Sequence, residues 1–241
     1  MTLLENIIKK IMDNGVIISK EKLTDSVYKI EIESEAVKTM DFVPGSFIRL
    51  GVGIGKQVTS KKDMARSYSI WNINKDQNSF SLAIATHSNG IGAQWVKDCK
   101  VGDSVYYKTK RGKFTVDNSA DSYLVVGDLS ALSHLYIINR YLSDNKQIKS
   151  IIYNKNIEEL YADINNTKPF TFFDIDENNP QAIITQIEKL MPNLKGIKMA
   201  YIAGDSRVCI AINKYLKKEL KWNSKQIKTK PFWNPDKKGL E

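Results

Sequence analysis

Cysteine is nearly absent from this chain of 241 residues: only Cys99 and Cys209 occur, far apart and outside any Cys-x-x-Cys or Cys-x-x-Cys-His spacing. That excludes a cysteine-held iron–sulfur centre, so any electron chemistry has to run through an organic cofactor. Both thiols read as reduced. Histidine is as scarce: His87 and His134 lie apart in different contexts and make no metal pair. No apolar run is long enough to cross a bilayer, and no repeat or low-complexity tract appears. A Rossmann Gly-x-Gly-x-x-Gly is missing. Gly51-Val-Gly-Ile-Gly55-Lys56 imitates a phosphate loop but is one residue short, has Gln57 where a Ser or Thr should ligate magnesium, and leads into no helical pattern.

Residues 1–14 lack a secretory leader's grammar, because Glu5 interrupts the apolar pattern and no small-residue cleavage site follows. They predict a short amphipathic helix, with a Thr2/Glu5 capping box and Leu4, Ile7, Ile8 and Ile11 on one face. The expected location is the cytoplasm, without stable membrane insertion, and the expected state is a monomer. A formal charge of +9 and a pI near 9.3 ask for an anionic partner. Lysines spread over the whole chain, with no nucleic-acid motif among them, argue against nucleic acid.

Hydrophobic residues make up 42% of the chain, enough for one large core or two modest ones. From about residue 15 to Asp117 the pattern is that of strands. Tyr28, Ile30 and Ile32 alternate with charged residues, Phe47–Leu50 continues the two-residue period after a Pro44-Gly45 turn, and one short helix, residues 92–99, interrupts. These predict a small antiparallel barrel over 15–117. After Asp117 strands and helices alternate, ending in a long helix predicted from Asp205 to Trp222, so residues 118–241 should be an α/β domain on a parallel sheet. The fold class is therefore α+β in two domains.

The run from Met64 to Val96 concentrates the chemistry. Arg66, Tyr68 and Ser69 open a strand with a cation that can fork onto phosphate, a ring that can stack, and a hydroxyl that can reach a heteroaromatic edge. A second strand, Ser79–Thr86, ends in His87-Ser-Asn-Gly90-Ile-Gly92-Ala93, a glycine turn into a helix start whose free amides suit a diphosphate. Each half alone also reads as an ordinary barrel strand pair or an ordinary capped turn. Together they favour a flavin dinucleotide site.

With Gly127-Asp128-Leu129-Ser130-Ala131-Leu132 and Ala203-Gly204-Asp205-Ser206, this stretch resembles the siderophore-interacting, FAD-binding proteins, a branch of the ferredoxin-reductase-like flavoproteins. The first segment is similar to the family's Gly-Asp-Glu-Thr-Ala-Leu and the second to its Ala-Gly-Glu-Ser. The resemblance implies reduction of ferric siderophore by electrons passed from NADH or NADPH, or ferredoxin, through FAD. It implies that Arg66, Ser67, Tyr68, Ser69, Thr86, His87, Gly90, Gly92, Ala93, Asp128, Ser130, Ala131 and Trp233 bind the cofactor. Gly127, Gly204, Asp205 and Ser206 fall on the nicotinamide side, although the glycines read equally as turn residues and Asp205 as an N-cap. Departures are visible: the family's Pro and Ser after Gly90 are absent, Leu129 replaces a glutamate, and its Gly-Tyr-Trp-Arg becomes Pro231-Phe232-Trp233-Asn234. Lys225, Lys228 and Lys230 are read as alternating along one strand face that either meets solvent or receives an anionic ferric chelate. The residues leave two further functions open: a reductase with another acceptor, and a flavin-containing binding protein without efficient nicotinamide turnover.

Overall fold

The computed structural model describes residues 10–54, 61–86 and 90–237. The chain divides into two compact units between Lys113 and Phe114.

The first unit is a seven-stranded antiparallel sheet in the order β4-β3-β7-β1-β2-β6-β5. Its strands are β1 (Asp13–Thr24), β2 (Val27–Glu33), β3 (Phe47–Leu50), β4 (Arg66–Ser69), β5 (Asn72–Asn74), β6 (Ser79–Ala85) and β7 (Ser104–Lys110). The edge strands β4 and β5 are one stretch of chain separated only by Ile70 and Trp71. Ile70 N donates to Ser46 O at 3.2 Å and Trp71 N to Ser81 O at 2.8 Å, so this stretch joins both edges and closes the sheet into a barrel. The two-residue period fills its interior with Ile30, Ile32, Ile48, Leu50, Phe80, Leu82, Ile84 and Tyr107. Buried Tyr107 donates its hydroxyl to Ser34 Oγ at 2.9 Å.

The helix predicted to reach Asn14 stops earlier. Lys10 and Ile11 are helical, but Asp13 and Asn14 already pair with Tyr107 and Tyr106 in the ladder, where backbone bonding to β7 overrides the local pattern. Residues 1–9 lie outside the described residues, as do Gly55, Lys56 and Gln57. Helix α1 (Ile91–Asp98) follows β6 and buries Gly92, Ala93 and Val96.

The second unit is a five-stranded parallel sheet. It runs β10 (Phe172–Asp174), β9 (Gln147–Asn154), β8 (Ser122–Asp128), β11 (Lys198–Asp205), β12 (Ile227–Trp233). Helices α2 (Leu132–Tyr141), α3 (Pro180–Leu190) and α4 (Ser206–Lys218) connect them. Counted within the unit the order is 3-2-1-4-5, the doubly wound arrangement, with its switch point between β8 and β11. One sheet face packs Leu124, Val126, Ala200 and Ile202 against Ile183 and Ile187 of α3 and Val208, Ile212 and Leu216 of α4. On the other face three of the first four residues of the unit are fastened by side chains. His134 Nε2 donates to Phe114 O at 2.9 Å, Tyr201 to Thr115 O at 3.0 Å, Lys228 to Thr115 O at 3.1 Å and Tyr123 to Asp117 O at 2.6 Å.

Helix α4 ends at Lys218, short of the predicted Trp222. Lys221 adopts φ 58°, and Trp222 N reaches back to Leu216 O at 2.9 Å, a helix stop with lysine in the left-handed position usually taken by glycine. No described helix is long and apolar enough to cross a membrane.

Candidate functional site

In the first unit the fold brings together residues 24 apart in sequence. Arg66 and Tyr68 share one face of β4 by the strand period, and both lie over the first turn of α1. A Cβ built on Gly92 would overlap the Tyr68 hydroxyl and come within 3.5 Å of the Arg66 stem, so only glycine permits this approach. Gly90 is the N-cap, extended at φ −72° and ψ 166°, and gives the helix no side-chain cap. The amides of Ile91, Gly92 and Ala93 have no acceptor within the helix, as in any first turn. A cation, a phenol and a positive helix end therefore converge on one spot.

The Arg66 guanidinium is paired there with Asp63, Nη2 to Oδ1 at 2.7 Å, and donates to Ala65 O at 2.9 Å. Sequence reasoning misses Asp63, although an acid three residues before an arginine is a readable signal for such a pair. Ser69 is nearly buried and, by the same period, shares the opposite strand face with Ser67. Thr86 donates its hydroxyl to Ser26 O at 3.0 Å, which ties the end of β6 to the β1–β2 turn. His87 lies outside the described residues.

In the second unit Gly127 and Gly204 stand at the carboxyl ends of β8 and β11, where doubly wound sheets bind ligands. Gly204 has φ 122°, and any Cβ on it would run into the Asp128 carboxylate. Asp128 is 5% exposed and joins three strand ends. Its Oδ1 accepts from Ser130 N at 2.9 Å and Ser130 Oγ at 2.5 Å; its Oδ2 accepts from Asp205 N at 2.7 Å and the Trp233 indole N–H at 2.8 Å. Asp128 is thus a strut that fixes the plane of Trp233. Ala131 is fully buried behind it.

Asp205, fully buried, caps α4 through Arg207 N at 2.8 Å and also holds the Arg207 side chain, Oδ2 to Nη2 at 2.6 Å. That pairing raises the Arg207 pKa and sets an exposed guanidinium at the strand tips, a residue that sequence reasoning missed. Ser206 Oγ accepts from Asn234 Nδ2 at 2.5 Å, so the asparagine standing where the family has arginine is tied down. Burial, reinforced by Asp128 and Asp205 among other charges, pushes the Tyr153 phenol well above its usual range.

The three lysines do not form one face. Lys225 is exposed in a single helical turn before β12, while Lys228 and Lys230 sit on the strand. The spacing of 225 and 228 is odd, and Asn223 caps a turn there in place of an earlier strand start. Lys228 pairs with Asp117 Oδ2 at 3.1 Å and lies 5.5 Å from the centre of the Tyr201 ring. Asp117 is held below the usual carboxylate range, first by the Ser119 hydroxyl and also by Lys228. Lys230 lies 5.3 Å from the centre of the Phe232 ring.

Comparison with known proteins follows the two units. An oxidoreductase FAD-binding domain matches residues 14–116, and the siderophore-interacting protein family matches residues 120–236. The second unit thus carries the siderophore-interacting protein family's match and the first unit that of the FAD-binding oxidoreductases. A siderophore-interacting protein from Acinetobacter baumannii superposes with a TM-score of 0.77 at 13% identity, covering 93% of this chain and 91% of the other. One from Aeromonas hydrophila gives 0.76 at 14%, covering 94% and 93%. At such identities the likeness establishes the fold. Phthalate dioxygenase reductase of Burkholderia cepacia is 26% identical over 113 residues, which is 46% of this chain and only 33% of that protein.

The residues of the first unit fit FAD. The Gly92 cradle, the uncapped amides of α1 and the Arg66 guanidinium are donors for a diphosphate, and Tyr68 stands beside them.

Proposed function

We propose that this protein is an FAD-dependent ferric-siderophore reductase of the cytoplasm, acting as a monomer on electrons from NADH or NADPH, with ferredoxin as the other donor. The observation that carries it is the meeting of Arg66 and Tyr68 over Gly92, in a chain whose second half matches the siderophore-interacting protein family. Bound FAD supplies the conversion between a two-electron donor and a one-electron acceptor. The ferric chelate is substrate, and iron bound by hard oxygen ligands loosens on reduction. The chain's own part is placement. The α1 amides between Gly90 and Ala93 together with Arg66 would hold the diphosphate and Tyr68 would stack on the flavin, whereas Ser67 and Ser69 stand on the other face of β4 and the Thr86 hydroxyl is taken up by Ser26. Gly127, Gly204, Ser206 and the Asp205-held Arg207 border the nicotinamide nucleotide. Ser130 and Asp128 hold Trp233 in its plane. Lys225 and Lys230 attract an anionic chelate at long range, whereas the charge of Lys228 is largely met by Asp117.

Anaerobic mixing with NADH, NADPH or reduced ferredoxin, followed by a ferric catecholate, tests this. Flavin bleaching by one donor and reoxidation by the chelate is the expected result. A protein that takes up no FAD, or a bleached flavin that ferric chelates leave reduced, refutes it. The second of those outcomes would favour a flavoreductase with a different acceptor, to which the pairing of Lys228 already lends weight.

A further inference from the structure

We propose that Lys20 is a positioning residue for the FAD diphosphate, acting from the far end of α1. The proposal rests on α1 being the diphosphate site. An isolated helix of this length is unstable in water, so its axis has to be set by its neighbours. At its first turn the close approach of Tyr68 and Arg66 to Gly92 sets it. At its other end the last carbonyls need partners. Cys99 N takes Trp95 O at 2.9 Å and Cys99 Sγ donates to Val96 O at 3.4 Å. Lys20 supplies two further donors: its Nζ donates to Lys97 O in the last turn and to Cys99 O at the C-cap, each at 2.8 Å.

Lys20 belongs to β1, which is barrel wall, and its ammonium lies 5.3 Å from the centre of the Tyr28 ring on β2. β1 thus holds the carboxyl end of the helix through Lys20, whose ammonium rests against Tyr28 of β2, while β4 meets the amino end. Lys97, although basic and in the last turn, travels with the helix and cannot anchor it. A cation at the carboxyl end also acts on the helix dipole in the same sense as an anion at the amino end. Asp98 and Asp103 are the nearby acids, both close enough to act on the Cys99 thiol together with Lys20. Losing Lys20 frees the end of α1 and blurs the aim of its first-turn amides.

The test is FAD titration of flavin-stripped wild type, Lys20→Met and Lys20→Arg, with the thermal unfolding of each apoprotein measured alongside. Methionine keeps the stem against Tyr28 and removes both donors; arginine keeps them. Lys20→Met should bind FAD about tenfold more weakly, the scale of a strong charge–dipole contact, with apoprotein unfolding close to wild type and with Lys20→Arg restored to within about threefold. Wild-type affinity in Lys20→Met overturns the proposal, and so does an arginine variant as weak as the methionine one. Should Lys20→Met not fold, Lys20→Gln, which can keep one donor without the charge, replaces it with an intermediate loss expected. Wild type that takes up no FAD refutes the diphosphate site itself, which separates the two failures.

Discussion

Removing the Asp128 carboxylate should loosen the second unit in a graded way. In Asp128→Ala four hydrogen bonds to a charged acceptor go at once, from Ser130 N, Ser130 Oγ, Asp205 N and Trp233 Nε1. Bonds of this kind are worth about 1.5 kcal/mol or more each, and an unmet buried donor such as Asp205 N adds to the loss. Against that stands relief from burying a charge that is 5% exposed. The net cost should be about 3 kcal/mol, a large share of a stability of roughly 5–15 kcal/mol. Asp128→Asn should cost about half as much. Its amide can turn Oδ1 to Asp205 N and Trp233 and offer Nδ2 to the Ser130 hydroxyl, which accepts, so only Ser130 N is stranded. The assay is guanidinium unfolding followed by Trp emission and by circular dichroism, because two units need not unfold together. The Trp233 contribution should become more mobile in Asp128→Ala. A loss under about 1 kcal/mol, or equal losses in both variants, would refute the strut.

Gly92→Ala should abolish FAD binding by driving its Cβ into the Tyr68 hydroxyl, and Tyr68→Phe in the same chain should restore part of it, because the next ring atom is 3.3 Å away; FAD titration reads both. Arg66→Ala should weaken FAD by about 2 kcal/mol, the scale of a charge-assisted bond, and unchanged affinity would leave Arg66 to Asp63 alone. Burial first, and then Lys230, lower the His134 pKa to about 3, so between pH 6.5 and 3 the unfolded chain takes up a proton that the folded chain refuses. Stability from this group is complete above pH 6.5 and falls as pH drops towards 3, by on the order of 4 kcal/mol. His134→Gln can still donate to Phe114 O without titrating and should flatten that part of the acid-unfolding profile. Lys228→Met should lower the stability of the second unit by about 1 kcal/mol through the lost pair with Asp117, whose exposure keeps the figure small, while Lys225→Glu should leave denaturant unfolding unchanged.

The sequence by itself carried the architecture, because the signals are local. Alternation at Tyr28, Ile30 and Ile32 and the strand–helix rhythm after Asp117 gave the antiparallel and parallel sheets, and the strand at Arg66 and Tyr68 and the glycine turn into a helix were legible as elements. Each is a pattern of backbone period or turn chemistry that neighbouring residues dictate. Tertiary structure alone decided what those side chains touch. That Gly92 must be glycine follows from Tyr68 arriving from another strand, and the role of Asp128 follows from donors on Asp205 and Trp233, 77 and 105 residues away. The lysines show the same limit. Their spacing suggested one charged face, but a capped turn displaced Lys225 and a distant carboxylate claimed Lys228. Partners so far apart in sequence leave no periodic trace, because only closure of the barrel and stacking of the parallel strands brings them within bonding distance.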